Sequence, residues 1–352
     1  MNFSVKLFNL KVFAIFLIAF SILFQISCKQ TKIKSDVPGK AKPDSSSIEF
    51  ISEKIRENPK NADLFFRRAL VKISENETSS AIGDFTIAIN LDSLKAEYYI
   101  KLGECQLSQG KSGLAKEAFD NCLEHFPDNT EVLIKLAKIH LYVKQYEESM
   151  RLLSAAQTID SHLSDIFFTK AIIYKELNDT SRAIKNFELC IENEPEHYQA
   201  YENLAYIYAQ LGDSLAVDYY KNAIEIIPEN IFAHYGLAMF YQNQRQLEKA
   251  INEYEYIIEN IDSANFSVYF NIGYINLEYF KNYDFAIEYF SKAISYKNNY
   301  IDAIYNRGLC YEYMKDYIKS KEDYNLVLQY YPNYENAVEA LNRIDEILYK
   351  NK

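Results

Sequence analysis

The chain has 352 residues, 49% of them apolar, with 38 lysines and arginines against 49 acids and a formal net charge of −11. Such a surface repels phosphate backbones, so binding to nucleic acid is disfavoured. Nine glycines and seven prolines are few for this length, which points to long helices with short connections rather than many hairpins.

In chain order the first element is an export signal. Lys6 and Lys11 are the only charges of the first eleven residues, and Val12 to Phe24 (VFAIFLIAFSILF) is almost wholly apolar. A membrane-spanning helix takes about 20 residues, so this shorter run reads as the apolar core of a cleaved segment. Gln25, Ile26, Ser27 and Cys28 follow. They resemble a bacterial lipoprotein signal, although Gln25 replaces the usual leucine. The resemblance implies a signal peptide over 1–28 and lipidation of Cys28. The alternative is an ordinary secretory signal with a chance cysteine. Without residues 1–28, 36 basic and 49 acidic residues remain, a net charge of −13. The stretch KQTKIKSDVPGKAKPDSSS (29–47) has five lysines, two prolines and a serine run; it reads as a flexible tether, placed at 29–45, with a reach of up to ~60 Å. A capping helix is expected within 46–61 and a second within 335–352, both with helical apolar spacing.

Between them the chain repeats. Ala69, Gly103, Ala137, Ala171, Ala205, Ala238, Gly273 and Gly308 recur at spacings of 33 to 35 residues. A second small column follows at Ala81, Ala115, Ser149, Ala183, Ala216, Ala250, Ala286 and Ser320. One helical turn on comes a large ring or leucine: Phe85, Phe119, Leu153, Phe187, Tyr220, Tyr254, Phe290 and Tyr324. A fourth column runs Ala88, Cys122, Ala156, Cys190, Ala223, Ile257, Ala293 and Val327. Pro59, Pro127, Pro195, Pro228 and Pro332 close helices in the same phase. These columns resemble the tetratricopeptide repeat, carried for example by AEYYIKLGECQLSQGKSGLAKEAFDNCLEHFPDN (96–129). The resemblance implies an all-α solenoid of helix-turn-helix pairs, coiled into a right-handed superhelix. Its eight repeats would span 62–95, 96–129, 130–163, 164–197, 198–230, 231–265, 266–300 and 301–334.

The same resemblance implies a concave groove lined by first helices. Three residues before and one after the first small column, the chain reads Phe66 and Leu70, Ile100 and Glu104, Ile134 and Lys138, Phe168 and Ile172, Glu202 and Tyr206, Tyr235 and Met239, Phe270 and Tyr274, Tyr305 and Leu309. Asn203, Asn271 and Asn306 stand beside this stripe, where similar repeats use asparagine to hydrogen-bond a bound peptide. The later repeats are richer in rings. A peptide site is therefore expected on Asn203, Tyr206, Phe232, Tyr235, Met239, Phe270, Asn271, Tyr274, Tyr305 and Asn306. Residues 270–294 hold eight aromatic side chains; Phe290 and Tyr289 belong to the second helix, and Tyr279, Phe280, Tyr283 and Phe285 read as core and corner at the turn.

Cys105, Cys122, Cys190 and Cys310 fall at or near the small columns, so they read as buried thiols rather than disulfide partners. The five histidines show no metal-ligand spacing, and no catalytic or phosphate-binding motif is found. No cofactor and no catalysis are expected. The reading is a lipid-tethered scaffold or adaptor that binds protein or peptide partners in a bacterial envelope, on the periplasmic face of the outer membrane. Alternatives are an assembly factor for outer-membrane or secreted chains and a regulatory subunit of an envelope peptidase or cell-wall hydrolase.

Overall fold

The computed structural model describes residues 47–350. The signal segment, Cys28 and the tether lie outside the described residues. Among the described residues all regular structure is helical. A single helix, α1 (Ile48–Glu57), precedes eight helix pairs. The pairs are α2 (Ala62–Ser74) with α3 (Thr78–Leu91), α4 (Ala96–Ser108) with α5 (Ser112–His125), α6 (Thr130–Tyr142) with α7 (Tyr146–Ile159), and α8 (Ser164–Glu176) with α9 (Thr180–Asn193). They continue with α10 (Tyr198–Leu211) and α11 (Leu215–Ile226), α12 (Ile231–Asn243) and α13 (Leu247–Tyr256), α14 (Phe266–Ile275) and α15 (Tyr283–Tyr296), and α16 (Ile301–Tyr313) and α17 (Tyr317–Tyr330). A last helix, α18 (Glu335–Lys350), follows.

Local chemistry sets the helix ends. Asn61, Asn129, Asn230 and Asn265 cap first helices by accepting hydrogen bonds from backbone N–H groups one turn in. Inside each pair the chain reverses through one left-handed residue: Asn76, Gly110, Lys144, Asn178, Gly212, Arg245, Lys281 and Lys315. Only two of these eight are glycine, so the turn itself imposes the conformation on six residues with a Cβ. Asn58, Phe126, Glu194, Ile227 and Tyr331 end helices immediately before the five prolines, as the steric demand of the proline ring requires.

Packing explains the repeating columns. Every alanine of the first column and every residue of the second and fourth columns is fully buried, and so are all ring-column residues, with Tyr220 at 5% exposure. Where the first column is glycine, a Cβ would strike the ring of its own repeat: 2.4 Å from Phe119 at Gly103, 2.9 Å from Phe290 at Gly273 and 3.0 Å from Tyr324 at Gly308. The small residue is the socket for the ring. Where the second column is serine, the hydroxyl is satisfied within the pair: Ser149 Oγ donates to Ala137 O at 2.7 Å and Ser320 Oγ to Gly308 O at 2.9 Å.

Two stretches lengthen the period by one residue, and each insertion is absorbed by a π-helical turn. In seven repeats the helix-ending N–H returns to the fourth-column carbonyl four residues back, as Asp92 N does to Ala88 O, but Asp262 N reaches five back to Ile257 O across the π-helix Ile257–Ile261. At the next turn Asn282 N reaches six back to Asn276 O across Asn276–Phe280, where Glu77 N reaches five back to Lys72 O. The extra residues thus sit at helix ends flanking α14, and the columns keep their phase.

The chain divides into two compact units between Ile173 and Tyr174, within α8. In the earlier unit, Arg68 of α2 makes a two-pronged contact with Asp84 of α3 (2.8 and 2.7 Å) and donates to Ser52 of α1 at 3.0 Å. In the later unit, Arg307 of α16 grips Asp323 of α17 (2.9 and 2.6 Å) and donates to Ser291 of α15 at 3.1 Å. The first and last repeats carry the same three-helix brace, with identical spacings of 16 residues. Cys105, Cys122, Cys190 and Cys310 are buried and form no disulfide among the described residues, and burial pushes the thiol of Cys105 up to about 11.

Candidate peptide-binding groove

The column three residues before the small residue was expected to face the groove. The structure corrects this: Phe66, Ile100, Ile134 and Phe270 are all at most 7% exposed, and the others are half-buried. The reason is that the side chain lies over the ring of its own second helix. Ring centroids are 5.5 Å apart for Phe66–Phe85, 5.7 Å for Tyr235–Tyr254, 5.6 Å for Phe270–Phe290 and 5.4 Å for Tyr305–Tyr324. Several also reach toward the next helix: Phe66 packs on Tyr98 of α4, Phe270 on Tyr300 just before α16, and Tyr305 on Tyr334 just before α18. The column is a seam between repeats.

Asn271 is corrected in the same way. It is 3% exposed, and its Nδ2 donates to the Tyr235 hydroxyl at 2.9 Å and the Tyr254 hydroxyl at 3.1 Å, with Met239 Sδ at 3.9 Å. Tyr254 in turn donates to Gln242 Oε1 at 3.0 Å. This network joins α12, α13 and α14 and engages the Asn271 Nδ2 group within the protein. Asn203 and Asn306 are half-buried, and each donates to a carbonyl one turn back, Gln199 O at 2.8 Å and Asp302 O at 2.7 Å. Tyr206, Tyr235, Met239, Tyr274 and Tyr305 are half-buried, and Phe232 is exposed. The turn residues Tyr279, Phe280 and Phe285, read as core and corner, are exposed instead.

Within the later unit the first helices contribute two charged groups that form no ion pair among the described residues. Lys175 of α8 donates to Asn203 Oδ1 at 2.7 Å and lies 5.3 Å from the Tyr206 ring centroid. Burial lowers its affinity for a proton, outweighing the nearby charge of Glu176. Glu202 of α10 accepts a 2.7 Å hydrogen bond from Asn230 Nδ2, and burial pushes its carboxyl above the usual range. Neither makes an ion pair among the described residues. In the earlier unit, Glu104 binds Lys101 and Lys135 and Lys138 binds Asp165, while Lys170 donates among the described residues only to Gln157 Oε1 at 2.6 Å and burial lowers its affinity for a proton. Position alone marked Glu202 as part of the stripe. Lys175 and Asn230, from the end of one first helix and the cap of another, were missed because no repeat column contains them.

Eighteen helices, stacked as pairs with a ring-in-socket joint and a polar, aromatic first-helix face, define a helical repeat protein whose chemistry is that of binding. Tetratricopeptide-repeat family models match residues 97–129, 168–231, 219–252, 266–300 and 301–334. The chain is built of tetratricopeptide repeats, and proteins of such repeats act as interaction scaffolds. It is similar to the BBSome complex member BBS4 homolog of Drosophila melanogaster (22% identical over 217 residues, 60% of this chain and 44% of the relative). It is also similar to the BBSome complex member bbs-4 of Caenorhabditis elegans (25% over 233 residues, 61% and 48%). The chain thus spans under half the length of these curated relatives. A solved structure of Pseudomonas aeruginosa pilF shares the fold at 16% identity, with a TM-score of 0.50 over 56% of this chain and 91% of that one.

Proposed function

We propose that the chain is a non-catalytic scaffold that binds an extended or helical segment of a partner protein on the first-helix face of the 174–350 unit. The observation that carries this reading is the pair Lys175 and Glu202. Partial burial without a counter-charge costs free energy in the isolated protein, and a partner that supplies the missing charges recovers it. Asn203, Tyr206, Tyr274, Tyr305, Asn306 and the exposed Phe232 offer polar anchors and ring surface on the same set of helices. The reading also keeps the lipid tether: an acyl chain at Cys28 would hold the repeats at a bacterial envelope membrane.

A photo-reactive amino acid placed at Phe232 or at Ile87, which is 40% exposed on α3, tests the groove in cells. Specific partner adducts are expected from position 232 and not from 87, and Lys175→Glu should abolish them. Equal adducts from both positions, or adducts indifferent to Lys175→Glu, would remove the groove reading. The tether is tested by metabolic labelling with a radioactive fatty acid: the intact chain should be labelled and Cys28→Ala should not.

A further inference from the structure

The seam column is apolar or aromatic in seven repeats, with Phe66, Ile100, Ile134, Phe168, Tyr235, Phe270 and Tyr305. In the remaining repeat it is Glu202, a charged group where its counterparts fill a joint. Two acids of the same unit have arginine counter-charges: Asp323 has Arg307 and Glu312 has Arg343. Glu202 has only an amide. That amide is itself fixed, because Asn230 Oδ1 accepts from Phe232 N and Ala233 N while capping α12, which aims Nδ2 at Glu202 Oε1. The carboxylate is therefore held in one orientation, with Oε2 making no hydrogen bond among the described residues.

Its surroundings are aromatic. Tyr198 and Tyr206 lie one helical turn to either side on α10. Tyr220 of α11 stands against Gly236, where a Cβ would meet its ring at 2.5 Å. The Tyr198 and Tyr220 hydroxyls are raised above their ordinary values by burial and then by the Glu202 charge. Lys175 makes no ion pair with Glu202; its ammonium donates to Asn203 Oδ1 at 2.7 Å, 5.3 Å from the Tyr206 ring centroid. A carboxylate with one free oxygen between tyrosine rings matches a basic side chain: the carboxylate takes the charge-assisted hydrogen bond and the rings take the flat face of the cation.

We infer that Glu202 is the recognition point for an arginine or lysine side chain of the partner segment, seated in the tyrosine-walled crease between α10 and α12. This rests on the groove reading and adds the chemistry of one of its subsites. The partner strand must then place a basic residue at one fixed position.

Random dodecapeptides displayed on phage, selected on the full-length protein in detergent, provide the probe. Selected sequences should share a basic residue at one position. A synthetic copy should bind Glu202→Gln at least about tenfold more weakly, whereas its citrulline analogue, which keeps shape but not charge, should bind both proteins alike within about twofold. Glu202→Gln retains an acceptor for Asn230, so its melting curve controls for folding. Peptides lost on Tyr206→Ala but indifferent to Glu202→Gln overturn the assignment of Glu202 and leave the groove standing. Peptides indifferent to both, or no enriched peptide, overturn both.

Discussion

Gly103 and Gly113 show how one residue type carries two meanings. Gly103 faces the Phe119 ring, which a methyl group would enter at 2.4 Å, while Gly113 has nothing within 4 Å. Gly103→Ala should therefore cost about 1–3 kcal/mol through overpacking, and Gly113→Ala should add about 0.5 kcal/mol by removing chain entropy from the unfolded state. Urea midpoints of the two variants check this, and equal shifts would contradict the socket. Glu202 gives a pH-dependent case. Its folded-state affinity for protons is raised, so ionisation destabilises the fold fully above the raised folded-state value, and the penalty is gone once pH falls below the unfolded pKa of about 4.3. Glu202→Gln should raise the melting temperature at pH 7 and leave it unchanged below about pH 4. A gain that persists in acid would mean that charge is not the cause.

At the scale of the helix, the braces make a sharper demand. Burial pushes the Asp84 carboxyl up, but hydrogen bonds from Arg68 and Lys72 outweigh it and hold the group below its ordinary value. A depressed acid stabilises above its unfolded pKa and loses that contribution as pH falls through the folded one. Asp84→Asn should cost about 3 kcal/mol at neutral pH, and the difference from the unaltered chain should narrow below about pH 4. A pH series of thermal melts reads it directly. The helix pairs and their joints were legible in the sequence because a solenoid turns packing into a one-dimensional period: Ala205 and Phe187 have the same neighbours in type as Ala171 and Leu153. The braces were not, because Ser52, Arg68 and Asp84 match Ser291, Arg307 and Asp323 across seven repeats, and a search between adjacent repeats compares Arg68 with Leu102, Asp84 with Ala118, Arg307 with Ile272 and Asp323 with Tyr289. Asn271 and Phe270 were misplaced for a related reason. Register tells which face of α14 a residue occupies, but not that Tyr254 and Phe290 of the second helices reach that face and cover it.

For the molecule as a whole, the proposed groove assigns stability and binding to different residues of the first helices. Phe270 now counts with the core, in a cluster with Tyr269, Leu277 and Phe290. Phe270→Ala should destabilise by about 3–5 kcal/mol, whereas Phe232→Ala, at a side chain 54% exposed, should leave the melt within about 0.5 kcal/mol and act only on partner capture. Matching losses in both variants would place Phe232 in the fold as well. The braces have a consequence for length. Arg68 ties the opening repeat to the helix before it, and Arg307 ties the closing repeat to the helix before it; every pair between them repeats the same small socket under a large ring or leucine. The chain is put together like a sentence with fixed opening and closing words and interchangeable clauses. Removing residues 130–163, one full period, should leave both termini chemically intact and give a shorter protein that still folds. Lineages carrying this architecture are then free to change the reach of the scaffold by whole repeats without redesigning either end.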